Sequence, residues 1–126
     1  MTYNNDRDDE KRIMNIFNIK KTSDIPSVDN TNLDHYFKFL NKNLRFPIKG
    51  IFTQETAPLH NESKSIVLHK LSVGCNNYDD FYGLLAEGKT GNKNAVVSLA
   101  EFEVEDGNTP NFQLIDDYKT WFENYR

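Results

Sequence analysis

Two groups of side-chain oxygens mark the places where this chain could do chemistry. Cys75-Asn76-Asn77-Tyr78-Asp79-Asp80 gathers two carboxylates and two amides in six residues, and Glu101, Glu103 and Glu105 alternate with apolar residues before Asp106. Carboxylate, amide and carbonyl oxygens are what a hard cation such as calcium takes, six to eight at a time. A polar turn around Asp79 and Asp80 suits that demand, because successive oxygens can converge there. The glutamates suit it less. Alternate residues of a strand stand about 7 Å apart, too far for three carboxylates to share one ion unaided, and a solvated strand face is the plainer reading. The acidic run is not an EF-hand either: the required glycine falls at Gly107 and position twelve at Phe112.

Other chemistries find less. His35, His60 and His69 show no metal-ligand spacing such as i, i+4, and His69 sits among apolar strand residues, the setting of a hydrogen-bonded structural histidine. Cys75 has His69 as a conceivable base, but no oxyanion loop or third residue accompanies them. A small buried or turn cysteine is the default for it. Gly88 to Gly91 lacks the Walker spacing and its Lys-Ser/Thr ending. No catalytic constellation emerges, so the expectation is a protein that is not an enzyme.

Composition narrows the partners. The 126 residues fit one domain with a small core plus a tail. Hydrophobic content of 37% is low while 13% aromatic is high, so rings should build the core. A formal charge of −4 with scattered lysines argues against nucleic acid. One cysteine excludes an internal disulfide. Neither an apolar run near 18 residues nor a charged-then-apolar leader is visible, so a cytoplasmic protein with no membrane partner is expected. Without export, the sequon Asn61-Glu62-Ser63 reads as chance.

The elements that must position these groups centre on Thr31 to Phe52. Leu33, Tyr36, Phe37, Leu40 and Leu44 recur at helical spacing, with Thr31 and Asp34 as the start signal and Pro47 forbidding continuation. Phe46, Ile48 and Phe52 then fall at strand spacing. Residues 1–30 read as a polar, partly ordered extension in which Asp6 caps a helix to about Ile19, ahead of a linker over Thr22 to Asn32. With few core-type side chains (Ile13, Met14, Ile16, Phe17), residues before about Asp24 are expected to be dispensable for folding. Residues 31–126 form the single domain. Thr53 to Lys64 reads as a polar loop, and Ser65 to Val73 as a strand with Ile66 and Leu68 on one face and Val67, Leu71 and Val73 on the other. Phe81 to Glu87 and Ala95 to Leu99 read as strands joined by the Gly88–Lys93 hairpin connector, and Glu101 to Glu105 as a fifth strand. The last helix takes Thr109 as cap and Pro110 as first residue, with Leu114, Ile115, Tyr118, Trp121, Phe122 and Tyr125 on one face. That order predicts an α+β fold with a small, curled antiparallel sheet.

The runs His35-Tyr36-Phe37-Lys38-Phe39-Leu40, Leu44-Arg45-Phe46-Pro47 and Ala57-Pro58-Leu59 carry a resemblance. So do Cys75 after the second strand, Val97-Ser98-Leu99 and Asp117-Tyr118-Lys119-Thr120-Trp121. In this order and spacing, from about Leu33 to Arg126, the chain resembles the small cyanobacterial calcium-binding protein family and its bacterial relatives. The resemblance implies an SH3-like barrel of about five strands flanked by helices, in a non-catalytic bacterial protein with calcium as its ligand. It places the metal at the turn after Cys75, with Asp79 and Asp80 as ligands and Glu101 or Glu103 completing the set from a neighbouring strand. That turn carries fewer acids here than is usual in the family, which implies weak binding. The alternative is a metal-free protein-interaction module with Phe39, Tyr78 and Tyr82 as exposed aromatics and the N-terminal segment docking a protein partner.

Overall fold

The computed structural model describes residues 3–57, 60–72 and 82–126. Its elements are α1 (Tyr3–Phe17), α2 (Asn30–Asn43), β1 (Ile48–Ala57), β2 (His60–Leu71), β3 (Leu85–Thr90), β4 (Lys93–Ser98), β5 (Phe102–Val104) and α3 (Pro110–Asn124), with short 3-10 turns at Thr22–Asp24 and Leu99–Glu101. The fold is α+β: a five-stranded antiparallel sheet in the order β4-β3-β2-β1-β5, with α2 packed on β2, α3 on β5, and α1 on α2 and α3. The expected barrel is not closed. β4 and β5 are the two edges of an open sheet among the described residues.

Helix α2 follows its apolar stripe, and Leu33, Tyr36 and Leu40 are fully buried. Its cap differs from the expectation. Asp29, not Thr31, accepts the backbone N–H of Asn32 at 2.8 Å, while Asp34 lies inside the helix and pairs with Lys38 at 3.0 Å. An aspartate two residues earlier offers a charged acceptor to the same dipole, so it outcompetes the hydroxyl. After the helix, Asn111 of α3 brackets Arg45: its Oδ1 accepts the Arg45 N–H at 3.0 Å and its Nδ2 donates to the Arg45 carbonyl at 2.8 Å.

The N-terminal segment does more than lie on the domain. Helix α1 begins before Asp6 and ends at Asn18, whose φ of +56° is the left-handed stop of a Schellman motif. Asn18 N–H bonds Asn15 C=O at 3.2 Å and Ile19 N–H bonds Met14 C=O at 3.0 Å. Ile13 is 1% exposed and belongs to the core, and the Phe17 ring stands 5.3 Å from Trp121 and 5.7 Å from Tyr36. The expected dispensability therefore does not follow: Ile13, Ile16 and Phe17 fall at i, i+3 and i+4, a stripe short enough to be discounted in a polar sequence.

The sheet departs from expectation in three informative ways. The expected loop over Thr53 to Lys64 is mostly strand, because β1 runs to Ala57 and β2 restarts at His60, in register through Thr53–Ser63. The two-faced reading of β2 is corrected at Leu71, while Val67 stays on the face opposite Ile66 and Leu68 and Val73 lies outside the described residues. A bulge places His69 as the extra residue between the pairs Leu68–Gly88 and Lys70–Glu87. One inserted residue shifts the side-chain alternation, so Leu71 joins Ile66 and Leu68 on the buried face. The β3–β4 connection is tighter than the connector expected from Gly88 to Lys93. It is the two residues Gly91 and Asn92, with Gly91 at φ +62° where a side chain would be strained.

Candidate functional site

The glutamates singled out by sequence do not act together. Glu101 closes the 3-10 turn before β5 instead of starting the strand, and Glu103 sits on β5 opposite Ile51. They line different cavities. Glu101 borders a space of about 400 Å³ with Thr53, Tyr82, Leu85 and Ser98, where the open edge of the sheet approaches β1. The Ser98 hydroxyl donates to the Tyr82 carbonyl at 2.7 Å, which fixes one wall of that space. Glu103 borders a space of about 300 Å³ with Phe112, Asp116 and Lys119. The Lys119 ammonium, donating to the Phe102 carbonyl at 3.2 Å, already brings positive charge there. A second cation gains little beside an ammonium. Of the two glutamates, Glu101 is the better placed for a metal.

Asp79 and Asp80 lie outside the described residues, as do Cys75 and Tyr78. Among the described residues no group of three or more His, Cys, Asp or Glu side chains is arranged to hold a metal ion. Glu101 alone offers two oxygens against the six to eight calcium takes, so the donor chemistry fits only with a second acidic group. Of the histidines, His35 alone has structural surroundings among the described side chains, and His69 is exposed rather than set among apolar residues. His35 stacks on Phe17 at 5.2 Å and its Nε2 lies 2.6 Å from the Ile16 carbonyl, while His69 occupies the β2 bulge. Of the aromatics expected to be exposed, Tyr82 is exposed and Phe39 is half-buried.

Sequence reasoning missed an ionic cluster between α1 and α3. Asp117 is a charged residue buried in the core, 3% exposed, and the Arg12 guanidinium grips it through Nε at 2.7 Å and Nη2 at 3.1 Å. Nη2 also reaches Asp9. The hydrogen bond to Asp117 raises the Arg12 pKa and holds the guanidinium charged; burial first, and then the nearby Asp117 carboxylate, raise that of Asp9. The signal was present: Asp117 interrupts the apolar stripe of α3 between Leu114 and Tyr118, and a buried carboxylate needs a partner. The same helix anchors the core through two side-chain hydrogen bonds. The Trp121 indole N–H donates to the Pro26 carbonyl at 2.9 Å, and the Tyr118 hydroxyl accepts the Leu84 N–H at 2.9 Å.

A family model described as calcium binding, that of CcbP, matches residues 22–122, from the first 3-10 turn through most of α3. The chain belongs to the CcbP calcium-binding family. The crystal structure of Anabaena CcbP is similar in fold, with a TM-score of 0.60 at 17% identity over 75% of this chain and 76% of that one. No curated protein matches. The residues matched by the CcbP family model include the Glu101 cavity and start after α1. No helix among the described residues is long and apolar enough to cross a membrane.

Proposed function

We propose that this protein is a non-catalytic, weak calcium binder whose ion is held by Asp79 and Asp80 with Glu101 completing the set. The observation that carries the reading is the position of Glu101. Within a chain of the calcium-binding family, Glu101 lines a cavity with Tyr82, and Asp80 and Asp79 precede Tyr82 by only two and three residues. A chain advances at most about 3.6 Å per residue, so both aspartates are tethered within roughly 11 Å of Tyr82. Glu103, beside Lys119, is the poorer candidate. Calcium would supply a hard positive charge that oxygen ligands organise; the chain would supply the carboxylates and the amide and carbonyl oxygens of the segment that carries Asp79 and Asp80.

Three carboxylates with neutral oxygens imply an affinity on the order of 10⁻⁴–10⁻³ M, the range of low-charge sites. The test is isothermal titration with calcium on the full chain and on the double variant Asp79→Asn, Asp80→Asn, which keeps shape and removes charge. The variant should lose binding and keep its circular-dichroism spectrum. Unchanged affinity would sink the placement at this turn.

A further inference from the structure

The calcium reading makes no use of the half-buried ionic cluster, which joins a helix outside the family-matched residues to one inside them. Arg12 donates to both oxygens of Asp117 and, with the same Nη2, to Asp9. Asp9 and Asp117 are thus held by one guanidinium nitrogen, Nη2. The Asp117 side chain is 5% exposed and that of Asp9 26%. Two carboxyl groups held on one guanidinium nitrogen repel each other when both are ionised, and one guanidinium neutralises only one of them. With both ionised the cluster carries one uncompensated negative charge. With Asp9 protonated it is neutral, and Arg12 is left to the Asp117 carboxylate alone. The other groups acting on the cluster do not relieve the charge: Asp8 on α1 and Asp116 on α3 are also acidic, and Tyr36 on α2 is a phenol buried in its neutral form.

We infer that Asp9, Arg12 and Asp117 form a proton-operated latch that fastens α1 to α3, closing when Asp9 takes up a proton and slackening when it ionises. Ile13 and Phe17 keep α1 in the core on either setting, so the latch governs how often the helix opens rather than whether it forms. Burial and the neighbouring carboxylates raise the docked-state pKa of Asp9. A raised folded-state pKa means that the docked form binds the proton more tightly than the open form. The stabilisation is fully present below the ordinary aspartate value and is lost as pH rises through the raised one. The latch therefore tightens on mild acidification.

Amide hydrogen exchange on the full chain, corrected for the intrinsic pH dependence of exchange, reads helix opening directly. On lowering the pH from about 7 to about 4, close to the ordinary aspartate value near 3.9, the amides from Asp9 to Phe17 should gain protection while those of β2 stay level. Asp9→Asn is neutral, as the protonated acid is, so it should show the higher protection at both pH values. Flat or falling α1 protection in the parent would overturn the latch. So would an equal rise in β2, or the same pH response in Asp9→Asn.

Discussion

Two buried tyrosines of the core should respond in opposite ways to loss of their hydroxyls. Tyr118 and Tyr36 are both fully buried, their rings 5.2 Å apart, and burial raises both phenol pKa values. The Tyr118 hydroxyl accepts the Leu84 N–H at 2.9 Å, where the chain turns through Gly83 at φ +66°. Tyr118→Phe strands a buried amide donor, which costs about 1–3 kcal/mol. The Tyr36 hydroxyl has no hydrogen-bond partner among the described residues. An unpaired buried hydroxyl itself costs about 1–3 kcal/mol, so removing it recovers part of that penalty. The ring is retained, with its stacking on Trp121 at 5.0 Å. Tyr36→Phe should therefore change stability by between about zero and 1 kcal/mol in the favourable direction. Urea unfolding followed by far-UV circular dichroism gives both differences as midpoint shifts at constant slope. A Tyr36→Phe loss as large as that of Tyr118→Phe would refute the reasoning, because it would reveal a partner for the Tyr36 hydroxyl.

Two further changes probe the same core. Trp121 is fully buried and bonded to Pro26, so native fluorescence should be blue-shifted and Trp121→Ala should cost about 3–5 kcal/mol in urea unfolding. Ile13→Ala should cost about 2–5 kcal/mol, and a chain beginning at Lys21 should melt well below the full protein in calorimetry, since it also loses Phe17.

What the sequence made legible follows from which interactions are local. The α2 stripe, the Thr109–Pro110 start of α3 and the burial of Trp121 rest on spacing and capping within one segment, and they stand as expected. The misread features depend on pairing across segments. The His69 bulge exists only relative to β3, and Thr53 to Lys64 becomes strand because β1 and β2 support each other's polar residues. Asp29 displaced Thr31 as cap within the tolerance of any boundary reading. At the candidate site, Glu101 and Glu103 looked equivalent as alternate residues of one strand. Folding separates them because Glu101 falls in a 3-10 turn and Lys119 reaches Glu103's cavity from α3. The resemblance on core motifs led to the right family, while the Arg12–Asp117 pair, 105 residues apart in sequence, left only the oddity of an aspartate in an apolar stripe.

Calcium titration of the parent protein, followed by backbone amide NMR, tests the metal reading most directly. Saturable shifts should appear at Asp79, Asp80, Tyr82 and Glu101, with a midpoint on the order of 10⁻⁴–10⁻³ M and little change at Glu103. No shifts at millimolar calcium, or shifts centred on Glu103 and Asp116, would contradict it.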